Sequence, residues 1–133
     1  MDKIDKELLS KINAHFKNFN HEYLSKKPCR IDAKEVIRKI KNNEKILLLD
    51  IRTKYETSLL GYKYKDSLNI PLDELFLEEN IKKLLSFKDY QIVLTCHSGA
   101  RTVVATAFLH LLGIDNAFSL EGGISAFASS IEL

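Results

Sequence analysis

The sequence predicts an α/β domain in which helices cover both faces of a parallel sheet. Two short runs, Lys45–Ile51 (KILLLDI) and Tyr90–Thr95 (YQIVLT), are continuously apolar, as strands buried on both faces are. Segments with helical spacing of apolar residues alternate with such strands, the pattern of a parallel sheet. The chain has 133 residues, enough for one domain with a substantial core.

At the N-terminus, Ile4, Leu8, Ile12 and Phe16 recur every fourth residue, with Leu9 and Phe19 beside them. They predict an amphipathic helix of about four turns. Its apolar stripe is expected to cover the core or, failing that, to meet a second copy or a partner. Residues 20–31 read as a connection, with Pro28 disfavouring helix at Lys27. A helix follows: Asp32 can cap it, Glu35 sits three residues on as in a capping box, and Val36, Ile37 and Ile40 form its apolar stripe. After the first apolar strand, DIRTKYETSLLGY reads as a helical turn stopping near Gly61, and SLNIPL as a short strand ended by Pro71. Leu72, Leu75, Phe76, Ile81, Leu84 and Leu85 mark one helix or two short ones. Arg101–Leu112 reads as a helix closed by Gly113, NAFSL as a further strand, and EGGISAFASSIEL as a Gly-Gly turn and terminal helix. There are no internal repeats, and the expected organisation is a helical extension over residues 1–27 followed by one domain over residues 28–133.

A formal net charge of +2, with 29% charged residues, gives no reason to expect nucleic acid or a membrane surface as a partner. The two cysteines, Cys29 and Cys96, form no Cys-x-x-Cys pair, which argues against a disulfide framework. The first twenty residues carry charge throughout, unlike a signal peptide. A cytoplasmic protein is expected. His15, His21 and His110 are scattered and Cys29 fits no zinc pattern, so no metal and no other cofactor are predicted.

The chemistry points to TCHSGAR. Cys96 follows a buried strand, at the sheet end where α/β proteins bind ligands. Gly99 permits a left-handed or close backbone, and a helix begins near Arg101. Such a loop turns successive N–H groups inward as an anion cradle, with the helix N-terminus adding positive potential. A thiol there ionises more readily than a free one. The residues therefore describe an activated cysteine nucleophile in an anion pocket without a dedicated general base. Against this stands the plainer reading of Cys96 as an inert, buried strand cap.

DIRTKYE, NIPL, CHSGART and LEGGISAF, in this order and at these intervals, resemble a single-domain rhodanese, a sulfurtransferase, from about Ile31 to Phe127. CHSGAR matches that family's Cys-x-x-Gly-x-Arg loop. The resemblance implies a rhodanese-like three-layer sandwich with about five parallel strands, helices on both faces, and the N-terminal amphipathic helix added. It implies that Cys96 takes sulfur from thiosulfate or from a protein or small persulfide, becoming a persulfide that gives the sulfur to a thiol or to cyanide. The related dual-specificity phosphatases use Cys-x5-Arg, whereas four residues separate Cys96 from Arg101 here, a tighter cradle. Two alternatives stand behind the sulfurtransferase: a persulfide-binding or redox-sensing module without turnover, and a cysteine-dependent phosphatase.

His97, Ser98, Gly99, Ala100, Arg101 and Thr102 are the expected substrate-binding residues around catalytic Cys96. His97 is either an acid–base group or a rim residue. Arg101 either binds an anion or anchors the loop through a carboxylate. The Thr102 hydroxyl either reaches the sulfur or is an ordinary first-turn hydroxyl. Asp50, Arg52, Glu56, Gly122 and Gly123 are expected in support: Asp50 bonding loop backbone, Arg52 pairing with Glu56 as the resemblance implies, and the glycines bringing backbone to the pocket wall. The segment GYKYKDSLNIPL departs from the family pattern, which leaves the path of residues 61–68 open.

Overall fold

A computed structural model of the chain describes residues 3–59 and 62–130. Five parallel strands, β1 (Arg30–Ile31), β2 (Ile46–Asp50), β3 (Ser67–Asn69), β4 (Gln91–Thr95) and β5 (Ala117–Leu120), form one sheet in the order β1-β5-β4-β2-β3. The predicted apolar runs are its centre. Every residue of β2 is buried, because helices cover both sides. The register sets Asp50 beside Thr95, so the loops leaving β2 and β4 emerge together.

Eight helices surround the sheet among the described residues: α1 (Lys6–Phe16), α2 (His21–Ser25), α3 (Ala33–Lys41), α4 (Lys54–Leu59), α5 (Leu72–Leu75), α6 (Glu78–Leu85), α7 (Ala100–Leu111) and α8 (Gly123–Ser130). On one face Leu75, Leu84, Ala105 and Leu109 from α5, α6 and α7 pack on Leu47, Leu49, Ile92 and Leu94. On the other, Ala33 and Val36 of α3 and Phe127 of α8 pack on Ile46, Leu48 and Val93. Alternate strand residues thus feed two separate cores, as the two-residue period of a strand requires. The Asp32 carboxylate accepts the Glu35 N–H at 2.8 Å, the predicted cap of α3. The undecided stretch after Pro71 resolves into two helices, α5 and α6, because Phe76 and Leu77 break the helical run between them. α7 ends with Gly113 at φ 94°, its N–H on the His110 carbonyl at 2.9 Å.

Two expectations change, and part of the path left open is now traced. The connection over residues 20–31 contains a short helix and an edge strand: Asn20 caps α2 through the Tyr23 N–H at 3.0 Å, and β1 pairs with β5. The N-terminal helix does not cover the sheet. α1 buries none of its residues and lies outside α7, with Leu8, Leu9 and Phe16 still 40–49% exposed. α7 already fills that face, so α1 forms an outer layer. The atypical segment brings Tyr62 and Tyr64 against the α3–α8 core, and the Tyr64 hydroxyl donates to the Ile46 carbonyl at 3.0 Å. The proposed stop at Gly61 lies outside the described residues.

Candidate active site

Cys96 follows β4 directly and is 1% exposed. The chain then turns through His97 and Ser98 to Gly99, which adopts φ 99° and precedes the first residue of α7. No side-chain oxygen caps α7. The Cys96 sulfur takes that position instead: the Gly99 N–H points at Sγ from 3.0 Å. Burial pushes the thiol up, but backbone N–H groups of Thr102, Gly99, Arg101 and Ser98 outweigh it and hold Cys96 below the ordinary thiol value. The site therefore favours the thiolate form at the centre of the loop, through groups that every α-helix leaves unpaired at its start.

Close approach of backbone holds the loop. The Ile124 N–H donates to the Cys96 carbonyl at 2.8 Å. Gly123, at φ 61°, lies so near that a Cβ there would meet the Cys96 carbonyl oxygen and stand 2.6 Å from that of His97. Gly123 thus brings backbone against the loop, whereas a Cβ on Gly122, at φ 74° beside the adjoining cleft, would meet Ala126 of α8. His97 and Ser98 are exposed at the mouth of the loop, and the His97 carbonyl accepts the Ser125 hydroxyl at 3.3 Å. An open cleft of about 430 Å³ lies alongside, bordered by Ser98, Gly99, Ala100, Glu121 and Gly122.

Arg101 anchors the loop. Its two terminal nitrogens donate to the two oxygens of Glu56 at 2.9 and 2.8 Å. Glu56 also accepts the Thr53 N–H at 3.0 Å while its own N–H donates to the Thr53 hydroxyl, a capping box at the start of α4. The Arg101 guanidinium is the main cause holding the Glu56 carboxyl at about 2. The expected Arg52–Glu56 pair is thereby replaced. Arg52 folds back onto its own strand end, donating from Nη2 to Asp50 Oδ2 at 2.7 Å and from Nε to Oδ1 at 3.0 Å. Both residues are under 5% exposed, and a guanidinium this deep needs a carboxylate equally deep. Glu56, on the first turn of α4, faces the β4 loop instead. Asp50 also accepts the Arg52 N–H at 3.0 Å, in keeping with its expected backbone role.

The Thr102 hydroxyl serves the backbone. It donates to the Gly99 carbonyl at 2.9 Å, so the Ser119 hydroxyl, 2.7 Å away, must donate to it. Ser119, Thr53, Asn69 and Tyr62 escaped the sequence reading. Asn69 ties the β2 loop by donating to the Asp50 and Arg52 carbonyls, each at 2.9 Å. Tyr62 lies beside Asp50, Arg52 and Cys96, and burial pushes its phenol up to about 12, so it stays neutral. The Thr53-Lys-Tyr-Glu56 spacing did carry a capping-box signal; the other three carried none.

Comparison with known proteins bears on this geometry. The model of the family described as Rhodanese-like domain matches residues 32–130. A sulfurtransferase from Allochromatium vinosum is 33% identical over 98 residues, 74% of this chain and 86% of that protein. A tRNA uridine(34) hydroxylase from Cronobacter sakazakii is 31% identical over 84 residues, 62% of this chain but 24% of that longer protein. A rhodanese-related protein from Thermoplasma volcanium, solved by crystallography, superposes with a TM-score of 0.60 at 29% identity, over 75% of this chain and 90% of that one.

Proposed function

Because the chain belongs to the rhodanese-like family, we propose that it is a working sulfurtransferase whose sulfur carrier is Cys96. The observation that carries this reading is the convergence of loop and α7 N–H groups on one buried sulfur. The thiolate attacks the outer sulfur of thiosulfate; a Cys96 S–S bond forms, the donor S–S bond breaks, and sulfite leaves with the electron pair. An acceptor thiolate or cyanide then attacks the terminal sulfur of the persulfide, restoring the Cys96 thiolate and leaving as a persulfide or thiocyanate. No proton need move, which fits a site without a general base. The amides face an anion at every stage, and ping-pong kinetics follow from the covalent intermediate. Loop tightness supports sulfur over phosphate, because a phosphoryl group carries three equatorial oxygens into the cradle. Sulfur transfer of this kind needs a small donor anion or a persulfide and a thiol acceptor as partners, and the cytoplasm as a reducing compartment suits it. Among the described residues no helix is long and apolar enough to cross a membrane.

Intact-mass measurement after thiosulfate treatment tests the reading. One added sulfur is expected, removed by cyanide with thiocyanate released, and absent in Cys96→Ala. An adduct that cyanide fails to remove would favour a module without turnover. Aryl-phosphate turnover lost in Cys96→Ser, with no sulfur adduct, would favour the phosphatase.

A further inference from the structure

The second cysteine is not isolated in space. Cys29 Sγ lies 3.5 Å from Nδ1 of His110, a residue 81 positions away on α7. The other ring nitrogen, Nε2, is 2.7 Å from the Ala117 carbonyl oxygen. A carbonyl can only accept, so Nε2 carries the proton and Nδ1 presents its lone pair to the thiol. This is a nucleophile, a base, and a third group that orients the base.

The N-terminal helices close a pocket of about 280 Å³ over this pair. Phe16 at the end of α1, Phe19 just beyond it and Leu24 of α2 supply apolar walls, and Arg30 also lines it. Two buried polar atoms in the lining have no hydrogen-bond partner: Oγ1 of Thr106, a residue only 2% exposed, and Nε2 of His15. Buried polar atoms are ordinarily paired, and leaving one unpaired costs stability. Both could be satisfied by one molecule with an apolar body and polar atoms seated beside the thiol.

We propose that Cys29 and His110, under the roof formed by α1 and α2, are a second thiol-exchange site that takes a small aromatic or aliphatic disulfide and forms a mixed disulfide with it. His110 Nδ1 accepts the thiol proton as the Cys29 sulfur attacks one sulfur of R–S–S–R. The Cys29–S bond forms, the R–S–S–R bond breaks, and the departing thiolate takes the proton from His110 to leave as RSH. The disulfide is the oxidant: one of its sulfurs is reduced as Cys29 is oxidised. A base is needed because burial, the largest influence, pushes the Cys29 thiol up; the Tyr23 hydroxyl opposes this, and the Asp115 charge adds to it.

The site is separate from Cys96. The ladder Arg30–Ser119–Leu94 places the two cysteines two strands apart and three residues out of register. With about 4.8 Å between strands and 3.3 Å per residue, their Cα atoms stand roughly 14 Å apart. That is beyond disulfide reach, about 7 Å at most. The N-terminal segment thereby gains a role outside the sheet core: it builds the pocket.

The test uses the full chain carrying Cys96→Ser, which silences the other thiol and keeps an oxygen able to cap α7. The probe is 4,4′-dithiodipyridine, whose ring nitrogens can accept from Thr106. Thiopyridone release is followed, with peptide mass mapping. Labelling should saturate with probe concentration, fall on Cys29, and exceed by about tenfold or more the rate of the denatured chain at the same pH. His110→Gln should cut the limiting rate about tenfold while leaving the half-saturating concentration in place. Thr106→Val should raise the half-saturating concentration and leave the limiting rate alone. A rate linear in probe and no faster than that of the denatured chain overturns the proposal, as does an unchanged rate in folded His110→Gln. Should His110→Gln fail to fold, an unchanged half-saturating concentration in Thr106→Val overturns it. The outcome is independent of sulfur transfer at Cys96, whose sulfur the test removes.

Discussion

Replacing Gly123 with alanine should disable the active loop while leaving the fold standing. A Cβ at this position would stand 2.6 Å from the His97 carbonyl oxygen and 2.7 Å from its carbon, and nearer still to the Cys96 carbonyl oxygen. A carbon–oxygen contact relaxes to about 3.3 Å, so the loop and α8 must separate by roughly 0.7–1 Å. The obstruction is backbone on both sides, with no flexible side chain to yield. The move stretches the Ile124 N–H bond to the Cys96 carbonyl and shifts the amides aimed at the sulfur. A displacement of about 1 Å in a catalytic group can cost on the order of a hundredfold in rate. The left-handed φ of 61° adds about 1–2 kcal/mol of strain. Gly113→Ala separates the two effects. That glycine, at φ 94°, has open space where a Cβ would go, so alanine there brings strain without a clash. Gly113→Ala should lose about 1–2 kcal/mol in urea melts, the strain alone, and Gly123→Ala should lose more, because the clash and the weakened Ile124 bond add to it. Only Gly123→Ala should lose single-turnover persulfide formation, by about a hundredfold. Equal rates in the two variants would refute the view that close backbone approach at Gly123 sets the cradle.

Glu56→Gln tests the anchor beneath Arg101. Glu56 is held at about 2 against an ordinary 4.5, a depressed carboxyl, so its contribution is full above pH 4.5 and is lost as the pH falls toward 2. The difference corresponds to roughly 3 kcal/mol at most; both side chains are about a third exposed, and screening reduces this to about 1–2 kcal/mol. Urea melts should show that loss in Glu56→Gln at pH 7 and a smaller one at pH 3; a loss independent of pH would mean that packing, rather than charge, is what the substitution removes. Thr102→Val should cost about 1–3 kcal/mol, because it leaves the buried Gly99 carbonyl and Ser119 hydroxyl short of partners. A stability-neutral Thr102→Val with a hundredfold slower sulfur transfer would instead put the hydroxyl on the sulfur.

Much of this was legible because burial writes itself into composition. β2 and β4 are covered on both faces, so their residues are apolar without alternation, and a run such as ILLL admits few other readings. The loop was legible because strand, cysteine, glycine and helix stand consecutively. β1 was not: two residues cannot display a period, and Arg30–Ile31 becomes a strand only by lying against β5. The choice of ion pairs was hidden for a related reason. A spacing of four suggested Arg52 with Glu56, but partners are selected by depth, and Arg52 is buried beside Asp50 while Glu56 is about a third exposed beside Arg101. Cys29 and His110 meet across 81 residues, and spacing arguments have no purchase at that range.

The position of Cys96 as the cap of α7 links stability to reactivity. The N–H groups that lower the pKa of the thiol are the ones that would otherwise start the helix unpaired. Protonating the thiol weakens both together, so acid should loosen the loop as it quenches the nucleophile. In the proposed reaction, persulfide formation would move the negative charge one atom outward. The amides must then follow the terminal sulfur or release it, and a four-residue loop pinned by Arg101–Glu56 at one end and by Ile124 at the other has little freedom to follow far. On that proposal, a persulfide held by stretched hydrogen bonds would be less stabilised than the thiolate it came from, which is the condition for a carrier to hand its sulfur on rather than keep it.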